Sequence, residues 1–262
     1  MLESYYVRHA VRTYNIGAGY KRIYFYHVQK AGGSSIKRIF YELTGLEGDR
    51  VHRMVLQSRD ARVKIDDKIF VGWNKKLINE GYYFFASTHI PLAELSLPPN
   101  TFTFTCLRDP MTRILSRYKE LVNYQRSDPS HVHLQTVKDW FNADFSVFLT
   151  NMPKREYLRQ LQMFSASYNV DEAVDQIANC EYFFILEDFD QGILALADQL
   201  QIPLKPKHVR QSGIQFSPES ADIERLQEMI APEKTLYERI RKIYCSRKDR
   251  LKVSVNTSDK SR

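Results

Sequence analysis

The stretch YFYHVQKAGGSSI, residues 24–36, decides the fold of this chain. It opens with an apolar, aromatic run typical of a strand, and a helical pattern begins at its end. Between the two stand Lys30, two glycines and two serines. Glycines let the main chain wrap closely around an anion, and the first N–H groups of a helix are unpaired at the positive end of its dipole. The segment therefore predicts a strand, a tight loop and a helix start that bind a phosphate or sulfate, with Lys30 adding a positive charge.

Lys30 stands in a different place from the lysine of ATP- and GTP-binding loops. Their pattern, GxxxxGK[ST], puts the lysine after the second glycine, because its side chain must curl back to the β- and γ-phosphates. Here Lys30 precedes Gly32 and Gly33, and Ser34 follows them. The match is poor, and a Gly-Gly turn that only joins a strand to a helix remains the alternative interpretation.

A second strand-to-helix junction lies further along the chain. Residues 101–107 alternate β-branched and aromatic side chains, which predicts a strand, and a helical pattern covers 111–123. Arg108 stands between them at the carboxyl end of the strand, where open α/β sheets bind their ligands. Pro110 suits the first turn of a helix, and Ser116 lies about two turns along it. The apolar stripe of this helix is predicted at Ile114, Leu115, Tyr118 and Leu121. Its other faces carry Arg113, Ser116, Arg117 and Glu120.

Two residues at predicted strand ends are candidates for a general base. His89 follows the apolar strand pattern at 82–87, and a histidine with an ordinary pKa of about 6.5 accepts a proton near neutral pH. The alternative is that His89 caps a turn. Glu187 ends the strand pattern at 182–186 and is the rival base.

The residues after Glu187 favour a structural role for it. Asp188, with Gln191 three residues later, resembles a helix capping box. We therefore expect Glu187 to stabilise neighbouring helix ends or a basic loop.

These motifs, in this order, resemble the sulfotransferases that use 3′-phosphoadenosine-5′-phosphosulfate (PAPS), specifically the branch acting on carbohydrates (heparan/chondroitin 2-O-type and related). The resemblance rests on the lysine-glycine-serine loop and on Arg-Asp-Pro-x-x-Arg-x-x-Ser-x-Tyr at 108–118, with looser matches at 184–190 and 231–237. It covers most of residues 22–245. It implies a P-loop-like, three-layer α/β fold whose central, mainly parallel sheet is flanked by helices.

The resemblance also implies roles for individual residues. Arg108 and Ser116 hold the 3′-phosphate, His89 is the general base, and Lys30 stabilises the leaving oxygen. A late basic loop at 205–213 closes over the nucleotide and brings Arg210 to it, with a solvated basic turn as the alternative. The 5′-phosphosulfate is gripped by Lys30, Ala31, Gly32, Gly33, Ser34 and Ser35. The family commonly has Pro-Lys-Thr-Gly in this loop, so a hydroxyl donor is missing at Ala31, although backbone groups can still bind the phosphate.

Sulfuryl transfer depends on positioning and charge stabilisation more than on covalent chemistry by the protein. Arg108 suits a phosphate because its guanidinium is a fixed fork of donors. The family needs no metal for transfer, and we expect none here, since His131 and His133 lack a nearby third ligand. The expected acceptor is a hydroxyl on a sugar or glycan, with a lipid, a peptide tyrosine or a small metabolite as alternatives. Variable loops such as 46–81 and 124–153 contact it. A helical pattern at 154–161 offers further candidates for acceptor contacts, namely Arg155, Arg159 and Gln160.

Length and composition predict a single domain at 21–245, with a tyrosine-rich N-terminal arm at 1–20 and a flexible basic tail at 246–262. The tail carries +4 of the net charge of +7, so the remainder suits a nucleotide-binding domain and does not require a nucleic acid partner. The chain has no apolar run long enough to span a bilayer and no signal-peptide pattern. Its three cysteines are far apart and give no disulfide framework, so we expect a cytoplasmic protein.

Two alternatives from other classes remain at this stage. A P-loop-type, ATP-dependent phosphotransferase would bind ATP with magnesium, against which the position of Lys30 argues. A non-catalytic module that binds nucleotides or polyanions would use the same basic loop without a base. His89 distinguishes the second alternative from an enzyme, because only an enzyme needs it for turnover.

Overall fold

The computed structural model describes residue 9, residues 14–209 and residues 214–258, with the side chains of the last helix described as far as Lys248. Six strands form one sheet: Arg22–Tyr26 (β1), Arg62–Ile65 (β2), Lys68–Val71 (β3), Phe85–Thr88 (β4), Thr101–Leu107 (β5) and Tyr182–Ile185 (β6). Their order across the sheet is β2-β3-β4-β1-β5-β6. Only the pair of β2 and β3 is antiparallel among these neighbours. The predicted central, mainly parallel sheet is confirmed.

Helices connect the strands in the described part of the chain. They are Gly33–Tyr41 (α1), Gly48–Gln57 (α2), Lys75–Glu80 (α3), Pro110–Ser127 (α4), Val132–Gln135 (α5), Phe145–Asn151 (α6), Lys154–Tyr157 (α7), Arg159–Phe164 (α8), Val170–Ala178 (α9), Phe189–Leu200 (α10), Ser220–Met229 (α11) and Ala231–Ser258 (α12). Short 3-10 turns add Gly17–Gly19, Glu42–Thr44, Leu92–Glu94 and Leu186–Asp188. None of the helices that the structure describes is both long and apolar enough to cross a membrane.

Helices cover both faces of the sheet around its central strand, β1. Successive side chains of a strand point to opposite faces. Phe25 stacks on Phe104 of β5 with 4.8 Å between ring centroids, and Phe40 of α1 lies 5.8 Å from the same Phe104 ring. Tyr26, on the other face, contacts Phe164 of α8 at 5.7 Å. The sheet is therefore the middle of three layers, and β1 is buried on both sides, as is usual for parallel strands.

The four neighbouring strands β4, β1, β5 and β6 deliver their following residues to one edge. Tyr26, the last residue of β1, pairs with Thr88 of β4 and with Thr105 of β5. Leu107 at the end of β5 pairs with Ile185 at the end of β6. The loop after β1, His89, Arg108 and the turn that begins at Leu186 therefore all start at the carboxyl edge of the sheet. This is the edge at which α/β sheets bind ligands.

A second apolar cluster lies beside the sheet. It is built mainly by α4, α5, α6 and α11, and its core includes Ile114, Tyr118, Leu121, Val137, Trp140, Phe148 and Leu226. The segment 124–153, which we expected as a variable loop, thus contributes short helices to a packed unit. Tyr118 and Leu121 belong to the predicted stripe of α4 and are buried as expected.

Arg113 and Glu233 form a buried ion pair between α4 and α12. Their side chains are 2% and 0% exposed, and Nε of Arg113 lies 3.1 Å from Oε1 of Glu233. Arg113 also donates through Nη2 to the carbonyl oxygen of Glu156 at 2.9 Å. The other oxygen of Glu233 accepts from the backbone N–H groups of Gln160 at 2.9 Å and Leu161 at 3.2 Å, at the start of α8. One carboxylate therefore fixes three helices relative to each other.

The packed domain reaches further than the predicted boundaries on both sides. Tyr14, within the predicted arm at 1–20, is buried, and its hydroxyl donates to the carbonyl of Asp67 at 2.7 Å and accepts from the N–H of Ile69 at 3.1 Å. At the other end, α12 continues to Ser258, through the predicted boundary after residue 245. The flexibility of residues 246–262 stays a prediction.

The buried ion pair makes a prediction about stability. Glu233→Gln keeps the shape of the side chain but leaves the charge of Arg113 buried without its counter-ion, so we expect a loss of about 3–5 kcal/mol in the free energy of unfolding. Urea denaturation monitored by circular dichroism measures this loss.

Two variants provide controls for this prediction. Arg239 lies on the same helix as Glu233 and forms an exposed pair with Asp171 of α9. Arg239→Gln breaks this pair, and we expect a change of about 1 kcal/mol or less in the free energy of unfolding. The double variant Arg113→Met with Glu233→Leu removes both charges and should recover part of the loss. A loss for Glu233→Gln no larger than that for Arg239→Gln would contradict the role given to this pair.

Candidate active site

The loop after β1 turns through two residues in the left-handed region. Lys30 has φ of 68° and Gly32 has φ of 77°, and α1 begins at Gly33. Gly32 is the N-cap residue and has no side chain with which to cap the helix. The first N–H groups of α1 are therefore available to an anion. Lys30 adopts a conformation that costs a non-glycine residue about 1–2 kcal/mol, and such strain is typical of functional loops.

Gly33 is required by the position of His27. A Cβ atom on Gly33 would lie 1.8 Å from Nε2 of His27, and two non-bonded heavy atoms cannot approach so closely. His27 is buried, and its ring stacks on Phe25 at 5.3 Å. Ala31 is fully buried, so the residue that lacks the family's hydroxyl has its methyl group in the core. The loop can follow β1 this closely only with glycine at position 33.

The side chain of Lys30 is held by Glu120 of α4. Nζ of Lys30 lies 2.8 Å from Oε1 of Glu120, and Nη1 of Arg117 lies 3.0 Å from Oε2. Burial lowers the pKa of Lys30, and Glu120 opposes this shift. Burial alone would raise the pKa of Glu120, but Lys30 and Arg117 lower it below its ordinary value. The Nε atom of Arg117 is buried without a hydrogen-bond partner in the described part of the chain. Glu120 thus bridges two cations at the mouth of the loop.

Arg108 is held in place through its own backbone. The side-chain amide of Gln160 accepts from the N–H of Arg108 at 2.9 Å and donates to its carbonyl at 2.8 Å. The same amide donates to Oε1 of Glu233 at 3.1 Å, so the buried ion pair of Arg113 and Glu233 supports the position of Arg108. Gln160 is 1% exposed, and we therefore correct its expected place facing the acceptor.

The guanidinium of Arg108 reaches the loop after β1. Its Nη1 donates to the carbonyl oxygen of Lys30 at 3.1 Å, and its Nε donates to Oγ1 of Thr112 at 3.2 Å. Ser116 follows Thr112 at the same four-residue spacing along α4 and is half-buried. The structure thus joins Arg108 to the loop by a direct hydrogen bond and puts Ser116 one turn beyond Thr112.

His89 leaves the end of β4 and turns toward His27. Its Nδ1 lies 2.5 Å from the carbonyl oxygen of His27, and the two rings are 4.0 Å apart between centroids. A carbonyl oxygen can only accept, so this contact assigns the proton to Nδ1 and leaves the lone pair of Nε2 available. The exposed ring of Trp73 lies 4.8 Å from the ring of His89.

His89 is neutral at physiological pH. Burial lowers its pKa to about 3; the hydrogen bond to His27 opposes that shift, and the charges of Lys37, Arg159 and Arg117 add to it. Burial likewise lowers the pKa of His27 well below the ordinary value, with further contributions from nearby cations. Several cations thus act on the two histidines, and positive charge near the loop suits an anionic ligand.

Glu187 has both carboxylate oxygens engaged by the fold. Oε1 accepts from the N–H of Asp109 at 2.9 Å, and Oε2 accepts from the hydroxyl of Tyr237 at 2.9 Å. This agrees with the structural role expected for Glu187 at a neighbouring helix end. The predicted capping box is wrong, because the side chain of Asp188 makes no cap bond and instead binds Tyr244 at 2.7 Å and Lys248 at 2.5 Å.

The late basic loop contacts the first turn of α1. The N–H of Val209 donates to Oγ of Ser35 at 3.1 Å. His208 pairs with Asp190 at 2.8 Å, and Lys207 pairs with Glu42. Arg210, the predicted nucleotide contact, lies outside the described residues, as does 211–213. The described part of the loop therefore approaches the site at Ser35, and the role of Arg210 stays a prediction.

His131 and His133 make local contacts at the start of α5. Nδ1 of His131 accepts from the N–H of His133 at 3.2 Å, and its ring stacks on Tyr124 at 3.8 Å. Within the described ranges, no three His, Cys, Asp or Glu side chains are grouped so as to hold a metal ion.

Comparison with known proteins identifies the family. A family model described as "Sulfotransferase family" matches residues 15–246. The chain belongs to this family. The match includes both predicted phosphate motifs, from Lys30 to Ser35 and from Arg108 to Ser116, as well as His89. It is a match to the sulfotransferases in general and does not single out the carbohydrate branch.

Other comparisons add little to the family match. A crystal structure of a sulfotransferase from Alicyclobacillus acidocaldarius is similar to this chain with a TM-score of 0.34 and 12% sequence identity, over 80% of this chain and 95% of the other. No curated protein matches the sequence.

Some members of the site carry no recognisable signal in the sequence. Gln160 lies 52 residues from the Arg108 backbone that it holds, and Lys30 lies 90 residues from Glu120. Trp73 follows a glycine in a short turn outside any apolar pattern. The sequence pattern did place Glu120 on a polar face of its helix, but it did not identify Lys30 as its partner.

The lowered pKa values of His27 and His89 predict how stability depends on pH. Both rings stay neutral in the folded protein, whereas in the unfolded chain they take up protons below a pKa of about 6.5. Their contribution to stability is therefore complete above pH 6.5 and is lost as the pH falls. Below pH 6.5, each ring adds at most about 1.4 kcal/mol per pH unit to the slope of the unfolding free energy against pH.

Denaturation at a series of pH values tests this expectation. His89→Gln should reduce the slope between pH 6.5 and 5 by about 1 kcal/mol per pH unit. The matched control is the same substitution at His133, whose ring is exposed, measured over the same pH range. An unchanged slope in His89→Gln would contradict a His89 ring that stays neutral in the folded protein.

Proposed function

We propose that this protein transfers a sulfuryl group from PAPS to a hydroxyl group of a carbohydrate acceptor. The observation that carries the proposal is the arrangement at the carboxyl edge of the sheet. The anion-binding turn at Lys30–Gly33, the guanidinium of Arg108 and the neutral ring of His89 all meet there, in a chain that belongs to the sulfotransferase family.

The hydrogen bond between Arg108 and Lys30 supports a donor with two anionic groups. It brings the two phosphate motifs into direct contact, although they are far apart in sequence. We propose that the turn from Lys30 to Ser35 binds the 5′-phosphosulfate, and that Arg108 and Ser116 bind the 3′-phosphate. A nucleotide that carries both groups would occupy both motifs at once, whereas ATP has no 3′-phosphate for the second.

Lys30 is proposed to stabilise the leaving group. As the bond from sulfur to the phosphate oxygen breaks, negative charge develops on that oxygen, and an ammonium group beside it lowers the barrier. In the structure the Lys30 ammonium is bound to Glu120. We expect it to exchange this partner for the bridging oxygen of the donor, while Arg117 keeps the charge of Glu120 compensated.

His89 is proposed to take the proton of the acceptor. The new bond forms between the acceptor oxygen and sulfur, the acceptor proton moves to Nε2 of His89, and 3′-phosphoadenosine-5′-phosphate (PAP) leaves. The contact of Nδ1 with the carbonyl of His27 supports this role, because it fixes the tautomer with a free Nε2. Burial lowers the pKa of His89 and nearby cations lower it further, and the negative charges of the donor would offset these cations and raise the pKa.

The proposal includes an acceptor class and a compartment. The carbohydrate acceptor follows from the resemblance of the motifs to that branch. The three cysteines, Cys106, Cys180 and Cys245, are free thiols, which suits a reducing compartment such as the cytoplasm.

Other functions are supported less well. The ATP-dependent phosphotransferase remains disfavoured, because Lys30 precedes the glycines and its carbonyl is bound by Arg108. The non-catalytic module has no use for a histidine held in one tautomer beside the anion-binding turn.

The test is transfer of radiolabelled sulfate from PAPS to a panel of unsulfated oligosaccharides. His89→Ala should keep binding PAP, because the ring is not needed to hold the nucleotide. Turnover should fall by about 100-fold or more, the usual cost of losing a general base.

The control is His9→Ala, an exposed histidine outside the segments proposed to bind the donor or the acceptor, whose turnover should equal that of the parent. Turnover in His89→Ala comparable to the control would rule out His89 as the base. No transfer from PAPS to any hydroxyl by a protein that binds PAP would favour the binding module.

A further inference from the structure

Trp73 exposes its ring beside the proposed base. It lies between β3 and α3, is 58% exposed, and has its ring centroid 4.8 Å from that of His89, with the two planes inclined by 58°. A single exposed apolar side chain needs no explanation by itself. The contact of Trp73 with His89, however, places this exposed ring beside the proposed reaction centre.

The backbone that carries Trp73 is fixed on both sides. The N–H of Gly72 donates to the carbonyl of Ala61 at 2.8 Å, and the N–H of Asn74 donates back to the carbonyl of Gly72 at 2.8 Å. The side chain of Asn74 donates to the carbonyl of Asp60 at 3.0 Å and accepts from the first turn of α3 at 3.1 Å. The indole is therefore presented to solvent by a preformed turn, and a ligand that covers it need not order the backbone.

The reaction brings the acceptor to this ring. The reacting hydroxyl must lie within about 3 Å of Nε2 of His89 for the proton to move. Because the ring of Trp73 is in contact with that of His89, the atoms next to this hydroxyl would lie along the indole. An acceptor there would remove indole surface from water, which favours binding by about 25 cal/mol for each Å² covered.

We infer that Trp73 is the platform on which the ring of a sugar acceptor stacks, and that it determines acceptor specificity. This inference rests on the proposed function. A pyranose ring presents C–H groups on its flat face and hydroxyls around its rim, so the C–H face meets the electron-rich face of the indole while a rim hydroxyl reaches His89.

The surrounding charges argue against another occupant of an exposed indole. A cationic ligand could bind the ring through a cation–π contact. Lys37, Arg117 and Arg159, however, all act as positive charges on the neighbouring His89. Their repulsion disfavours a cation at this place and is compatible with a neutral or acidic sugar.

Steady-state kinetics on three variants of Trp73 tests the inference. The acceptors are unsulfated hexasaccharides of chondroitin and heparosan together with cellohexaose. For the best of the three, Trp73→Ala and Trp73→Leu should raise KM about tenfold, the effect of losing an aromatic contact, with a smaller change in kcat. Trp73→Phe, which keeps an aromatic face, should restore most of the affinity. The control is Leu194→Ala on α10, a truncation at a residue that is 44% exposed and lies outside the segments expected to contact the acceptor.

Fluorescence gives a second readout that does not depend on turnover. The sequence has two tryptophans, and the other, Trp140, is buried in the second apolar cluster. In Trp140→Phe, emission comes from Trp73 alone, so the hexasaccharide that is sulfated should shift or quench it in the presence of PAP. The same addition to Trp73→Phe should leave the emission of Trp140 unchanged.

The outcomes separate this inference from the function on which it rests. Failure to bind PAP would overturn both. If PAP binds and an oligosaccharide is sulfated, but Trp73→Ala has the KM of the Leu194→Ala control, the platform is wrong and the proposed function stands. Sulfation of a small phenol in place of all three hexasaccharides, with no change in Trp73 emission, would likewise overturn the sugar platform.

Discussion

The close packing of His27 against Gly33 is the contact on which the rest of the site depends. The N–H of His27 donates a hydrogen bond to the carbonyl of Thr88 and so extends the pairing of β1 with β4. The carbonyl of His27 accepts a hydrogen bond from Nδ1–H of His89. Its ring occupies the space that a side chain at Gly33 would need. A single buried residue thus connects the anion-binding turn to the candidate base. Any change that moves the turn away from β1 would also change the orientation of His89.

The second constraint is electrostatic. Several cations lie near His27 and His89. Glu120 forms ion pairs with two of these cations, Lys30 and Arg117. A carboxylate between Lys30 and Arg117 reduces the repulsion between their positive charges. The buried pair of Arg113 and Glu233 performs a different task, because it fixes the helix that carries Gln160 and hence the backbone of Arg108. The side chains of Lys30 and Glu120 are about one-fifth exposed, whereas those of Arg113 and Glu233 are buried.

The sequence predicted the parts of this arrangement that are local. Strand and helix patterns around Lys30, His89 and Arg108 were sufficient, because residues that follow parallel strands meet at one edge. Contacts between distant segments could not be predicted, and for that reason Gln160 was among the candidates for acceptor contacts. The capping box at Asp188 failed because Tyr244 and Lys248, on a helix about 60 residues away, compete for the same carboxylate. Trp73 was missed because its significance comes from His89, which another strand supplies.

The most direct test of the account is calorimetric titration with PAP and with adenosine 5′-monophosphate, which lacks the 3′-phosphate, on the parent and on Arg108→Ala. The account predicts that the parent binds PAP far more tightly, and that Arg108→Ala loses most of this preference while its affinity for the monophosphate changes little. Equal affinity of the parent for both nucleotides, or a preference for PAP that survives in Arg108→Ala, would contradict the assignment of Arg108 to the 3′-phosphate and with it the proposed donor.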